Sequence, residues 1–221
     1  MLASSVLDLS RWKLTLPTGH ARHPAEVRQP QLGGFRGDAH FHLDATREGV
    51  VFHAPVGGVT TKNSTYPRSE LREMVPGGSR EAAGSNRAGQ HVLSVTEAIT
   101  ATPRVKPHVV AAQVHDADDD VIMIRLEGRR LFVESGGEDV GVLDPDYRLG
   151  TRFTIGIVAS PAGIRVFHRA AGAPRTQVVR VRKVGGGMYF KVGCYTQSNR
   201  SRGDLPTAYG EVVVYALSVR H

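Results

Sequence analysis

The chain of 221 residues contains a single cysteine, Cys194, which excludes an internal disulfide and any cluster of thiolate metal ligands. No run approaches the ~18 consecutive apolar residues that a membrane-spanning helix needs, so no membrane partner is expected. Long amphipathic helical periodicity is also missing, which removes helical bundles and alternating β/α folds from consideration. Acidic residues are in deficit: 21 Asp and Glu stand against 28 Lys and Arg, giving a net charge of +7 and a pI near 9.9. Such a surplus suits an anionic partner without choosing between nucleic acid and an acidic glycan. Met1 to Ser5 is too short for a signal peptide, so export is not readable from these residues.

What the chain does have is short alternating segments separated by glycine and proline. Trp12, Leu14 and Leu16 form an alternating apolar face that Pro17 is expected to end. Residues 18 to 49 read as loops around one or two short strands near Ala39 to Leu43, and Val50 to Ala54 reads as a strand. The glycine-rich stretch from Pro76 to Gln90 reads as a long surface loop. His91 to Thr100 and Pro107 to His115 are strand-like. Val121 to Glu127 with Arg130 to Glu134 reads as a hairpin, as do Arg152 to Ala159 with Ile164 to Arg169. Glu211 to Val219 closes the chain. Ten to fourteen such strands in one domain, residues 1 to 221 without a repeat, predict an all-β antiparallel sandwich.

Three segments carry a polar face opposite a packing face. In Tyr189-Phe190-Lys191-Val192-Gly193-Cys194-Tyr195-Thr196-Gln197, the odd positions point one way and Phe190, Val192 and Cys194 the other. In Arg68-Ser69-Glu70-Leu71-Arg72, two guanidiniums flank a carboxylate, a set suited to gripping a substrate carboxylate through paired hydrogen bonds. Taken alone, that pattern equally describes a surface ion-pair ladder of little energetic value. In Gln113-Val114-His115, Gln and His share a face while Val114 turns inward. His40-Phe41-His42 has metal-compatible spacing but no third ligand, and Asp116 to Asp120 lacks the calcium-loop pattern and reads as a solvated acidic turn.

Together, in this order, the three segments resemble the signature segments of the alginate lyases of polysaccharide lyase family seven. The resemblance runs from the Leu9-to-Pro17 opening to the final strand. It implies a β-jelly-roll of two antiparallel sheets whose concave face forms a glycan cleft, and β-elimination on a uronate polymer with no cofactor and no metal. It further implies Arg68, Gln113, His115 and Tyr195 as the catalytic group. Glu70, Arg72, Lys191, Gln197, Tyr189 and Asn63 are the expected substrate-binding residues. An anionic polysaccharide is the expected partner, with nucleic acid excluded because the basic residues are scattered rather than clustered with exposed aromatics. Secretion and monomeric action are expectations of the same resemblance.

The residue chemistry agrees with that assignment. Removing the C5 proton of a uronate places carbanion charge beside a carboxylate, so Arg68 and the Gln113 amide, helped by His115, would first neutralise the carboxylate; losing such a donor costs ~10²–10³ in rate. Tyr195 is the expected acid for the departing O4, with Lys191, Arg68 or Arg72 nearby to favour its phenolate when a base is required. In mannuronate, C5–H and O4 lie on one side, so Tyr195 would serve as both base and acid; in guluronate, His115 would be the better base. Within the family, valine at the middle of Gln-x-His is associated with mannuronate-rich substrate, so Val114 points to polymannuronate, with glucuronan and other polyuronates as alternatives. Gly193 is expected to leave room for the sugar. Competing readings are a noncatalytic lectin-like jelly roll and a glycoside hydrolase, which would need two opposed carboxylates.

Overall fold

The computed structural model describes residues 1–173 and 177–221. The first third of the chain forms strands Trp12–His20 (β1), His23–Val27 (β2), Phe41–Leu43 (β3), Val50–Pro55 (β4) and Arg68–Glu73 (β5). The middle contributes Gly84–Ser85 (β6), His91–Ala101 (β7), His108–His115 (β8), Asp120–Glu127 (β9), Arg130–Ser135 (β10) and Glu138–Asp144 (β11). The last part adds Phe153–Ser160 (β12), Gly163–Ala170 (β13), Gln177–Val181 (β14), Gly186–Thr196 (β15) and Tyr209–Arg220 (β16). Among the described residues, helix is confined to single 3-10 turns at Ala3–Ser5, Gln31–Gly34 and Arg200–Arg202.

These strands make a β-jelly-roll of two antiparallel sheets. One sheet runs β11-β10-β9-β8-β15-β5-β1-β2, with β6 paired to the end of β15; the other runs β14-β13-β12-β7-β16-β4-β3. Between them lie the inward positions of each alternation, among them Trp12, Leu14, Leu71, Val114, Phe190 and Val192 from the first sheet and Phe41, Phe52, Leu93, Ile99 and Phe153 from the second, all buried. Each large apolar side chain so removed from water contributes ~1.5–3 kcal/mol. Because the large apolar side chains of these strands lie on one face, a one-residue slip would turn them out of the core, so register is fixed and the opposite face of the first sheet carries the polar side chains.

Three sequence expectations are corrected here. Sixteen strands are described rather than ten to fourteen; β2, β11 and β14 carry weak alternation and gain their place by pairing at or near sheet edges. Pro17 does not end β1, which continues to His20: it lies where the β1–β2 pairing shifts register between Thr15 and Gly19, so its missing N–H breaks no ladder bond. The 76–90 segment is not wholly loop, since Gly84–Ser85 pairs with Gly186 and Met188 of β15.

Candidate active site

Strand β15 lies between β8 and β5, and this order brings the three polar segments onto one surface. Tyr189 stands opposite His115, Lys191 is flanked by Gln113 on one side and Arg72 on the other, and Tyr195 stands opposite Arg68. Strand β1 extends the rows, with Lys13 opposite Arg72 and Thr15 opposite Glu70. Apart from Glu70, these side chains, with Asn63 and Ser64 from the loop before β5, Asp118 and Asp119 from the turn before β9 and Asp120 at its start, line a cleft of ≈ 350 Å³. A wider hollow of ≈ 700 Å³ between residues 101–105 and 203–209 has few charged walls. One of these, Asp204, is already committed to the backbone N–H groups of Val105 and Lys106.

Beneath the cleft floor, Glu70 is 1% exposed and organises the cations. Its Oε2 accepts from Arg68 Nη1 at 2.9 Å and from Lys191 Nζ at 2.8 Å, while Oε1 accepts from the Gln113 amide. Burial opposes ionisation of Glu70, but Lys191 and Arg68 outweigh it and hold the carboxyl at about 2. An ionised carboxylate only accepts, so the group Gln113 turns toward it is its NH₂, leaving one N–H and the carbonyl for other partners. Lys191, buried beside Arg68, has its pKa lowered to about 8 despite the pairing with Glu70. Two cations against one carboxylate leave the floor with a net positive charge matched to an anionic sugar.

Tyr195 and His115, the two side chains expected to move protons, stand on either side of Lys191. The Tyr195 phenol lies 2.8 Å from Ser64 Oγ, and the Arg68 guanidinium packs on its ring at 3.7 Å. Ser64 Oγ donates to the Tyr66 carbonyl and accepts the Tyr66 N–H, so its remaining capacity is as acceptor of the phenolic proton. His115 stacks on Tyr189 at 5.1 Å, and Arg72 sits over the Tyr189 ring at 3.8 Å. Burial lowers the His115 pKa, with Lys191 acting in the same sense. Its Nδ1 faces the Asp116 carbonyl at 2.8 Å and therefore carries the proton of the neutral ring, which places the lone pair on Nε2.

A family model described as alginate lyase matches residues 7–221. The chain belongs to the alginate lyase family. It is 47% identical to alginate lyase AlgAT5 from polysaccharide lyase family 7, with a TM-score of 0.92 over 100% of this chain and 99% of that one. It is 41% identical to the alginate lyase from Corynebacterium sp., with a TM-score of 0.90 over 100% and 98% of the two chains. A variant of the family 7 alginate lyase A1-II′, solved in complex with product (GGG), is 25% identical, with a TM-score of 0.79 over 99% and 98%.

In this alginate lyase family member, Arg68, Arg72, Gln113, His115, Tyr189, Lys191, Tyr195 and Asn63 all border the cleft, whereas Glu70 and Gln197 do not. Glu70 belongs to the layer below, where it is consumed by its three partners. Gln197 lies beyond the end of β15 and is 5% exposed; its N–H donates to the His108 carbonyl, and its side-chain Nε2 has no partner among the described residues. Both were expected to hold sugar from the family resemblance, which carries over motif positions but not their depth beneath the cleft. Gly193 is required for a different reason from the one expected. Its φ is +138°, and an added Cβ would lie 2.7 Å from the Ser69 carbonyl oxygen and 2.8 Å from the Phe52 ring, on the core side. The acidic turn also differs: Asp118 and Asp119 are exposed, but with Asp120 they form part of the cleft wall. Burial, then Asp119 and Glu134, push the Asp120 carboxyl up to about 6.

Sequence reasoning assigned no role to Ser64, Tyr66 or Lys13. Tyr66 lies edge-on to Tyr195 at 6.4 Å and accepts from Lys106 Nζ at 3.1 Å. Only Lys13 left a trace, as the polar neighbour of Trp12 and Leu14 in an alternating strand. The two histidines of the His40-Phe41-His42 motif each turn Nδ1 to a backbone carbonyl, His40 to that of His53 and His42 to that of Asp38.

Proposed function

We propose that the protein cleaves alginate by β-elimination, with a preference for mannuronate, and leaves unsaturated uronate ends. The observation that supports this most is the placement of the Tyr195 phenol in one cleft with Arg68, Gln113 and Lys191, a set that can neutralise a uronate carboxylate. Arg68 and the free N–H of Gln113 bind the carboxylate and lower the cost of charge at C5. A base then takes the C5 proton, its electron pair forms the C4=C5 double bond, the C4–O4 bond breaks, and O4 leaves with a proton from an acid.

Tyr195 is that acid, its proton oriented by Ser64. On mannuronate the same phenol, as phenolate, first serves as base, because C5–H and O4 lie on one side. On guluronate the neutral His115, with its lone pair on Nε2, takes the proton from the opposite side. Val114 is buried between Phe190 and Ile122 in the sheet register, so its contribution to preference passes through the placement of Gln113 and His115 on either side of it. A hydrolytic reading is not favoured, since Glu70 is buried and held ionised and Glu26 is tied to Lys13 and Arg28. The reading includes secretion and monomeric action, tested by recovery from culture medium and by mass in solution.

The test is incubation with polymannuronate, polyguluronate and glucuronan, followed by near-ultraviolet absorbance of the new conjugated double bond. A rise on alginate fractions, faster on polymannuronate, is expected. Faster cleavage of polyguluronate would overturn the preference. New reducing ends without absorbance would indicate hydrolysis instead, and a rise on glucuronan alone would move the substrate to another uronate.

A further inference from the structure

Beside the cleft, a second charged cluster takes no part in the chemistry above. Lys13 of β1 has a side chain only 8% exposed, and its Nζ lies 2.5 Å from Glu26 Oε1 and 2.7 Å from Glu81 Oε1. Arg28 reaches Glu26 at 2.8 Å and Glu81 at 3.6 Å, and Arg72 reaches Glu81 at 3.4 Å. Three cations therefore share two carboxylates. Lys13 and Arg72 also face the cleft, in the same cross-strand row as Lys191. At normal strand spacing Lys13 stands roughly 10 Å from Lys191 along that row, beyond the reacting sugar.

The two carboxylates are held differently. Glu26 accepts hydrogen bonds from Lys13 and twice from Arg28, and lies within β2. Glu81 has the more exposed side chain, 45% against 31%. Its backbone is nonetheless fixed: it bridges to Met74, and the N–H of Ala82 donates to the Glu73 carbonyl at 3.3 Å. Rotation of the Glu81 side chain into water frees its place on the three cations while Glu26 stays on Lys13 and Arg28.

We propose that Lys13, Arg28 and Arg72 form an outer subsite for a second uronate carboxylate of the polymer, and that Glu81 occupies it as an internal carboxylate until substrate displaces it. The proposal rests on the reading of the substrate as a polyuronate. Replacement of one carboxylate by another leaves every buried cation paired, so Lys13 is never stranded without a counter-charge. The exchange makes the subsite selective for length: oligomers long enough to reach it compete with Glu81, and shorter ones do not.

Affinity decides the matter without turnover. In a Tyr195→Phe background, calorimetry with a mannuronate hexasaccharide and a disaccharide compares Glu81→Gln and Lys13→Met with the parent. Glu81→Gln is expected to tighten the hexasaccharide about two- to fivefold, the worth of a partly exposed ion pair, and to leave the disaccharide unchanged. Lys13→Met is expected to weaken the hexasaccharide alone. Unchanged or weaker hexasaccharide binding by Glu81→Gln, or equal tightening of both ligands, would overturn the subsite. If the wild-type protein meanwhile yields unsaturated ends from alginate, only the subsite fails. If neither oligomer binds and no product forms, the polyuronate reading fails and the subsite with it.

Discussion

Single side chains in the cleft are set by partners that alternation does not reveal. Tyr195, His115 and Gln113 are legible because each sits two residues from another polar group within a strand. Ser64 is not, because the loop from residue 60 to 67 has no periodicity and its contact with Tyr195 spans 131 residues of sequence. That contact predicts a positioning role. Ser64→Ala removes one hydrogen bond worth ~1 kcal/mol, so kcat on polymannuronate should fall about five- to tenfold with KM unchanged. A rise in KM at constant kcat would show that Ser64 holds sugar instead of the phenol. Glu70 shows the converse limit: its face was readable, but the three donors that bury it come from β5, β8 and β15, and only the fold assembles them.

At the scale of the element, β15 carries the site and is paired on both sides, with β8 and with β5. Its pairing with β5 is regular from Lys191 to Tyr195, while its pairing with β8 shifts between Val192 and Tyr195. One extra residue on β15 is thus absorbed next to Gly193, whose positive φ permits it. The alternation that separates Tyr189, Lys191 and Tyr195 from Phe190, Val192 and Cys194 survives because the β5 side stays in register. The bulge could not be read, since nothing in a glycine distinguishes room for a ligand from a strained backbone. Gly193→Ala should lower stability by about 2 kcal/mol, seen as a fall in Tm of roughly 5 °C. An unchanged Tm together with weakened substrate binding would restore the idea that the glycine makes space for sugar.

For the whole molecule, the sandwich was readable from turn spacing and the absence of helix, but strand order and sheet membership were not, because pairing partners are distant in sequence. The core between the sheets contains one group that no pattern predicts. Glu97 on β7 is fully buried, neither carboxylate oxygen has a partner among the described residues, and burial pushes its carboxyl up to about 8. An unfolded chain ionises this group above its ordinary value of 4.5, so between 4.5 and about 8 the folded state binds more protons. Stability should therefore fall as pH rises through that window and level off above it. Glu97→Gln should flatten this part of the profile in denaturant unfolding from about pH 5 to about pH 8. A slope equal to that of the wild type would mean that Glu97 is paired or hydrated in solution.

The measurement that bears most directly on the cleft as an elimination site is the near-ultraviolet time course of Tyr195→Phe on polymannuronate, taken beside its oligosaccharide affinity. The phenyl ring keeps its packing under Arg68 but has no proton to give to O4 or take from C5. Double-bond formation should fall by a factor of at least ~10², with affinity within about threefold of the wild type. Turnover near the wild-type rate would contradict the account, because it would show that the Tyr195 phenol transfers neither proton.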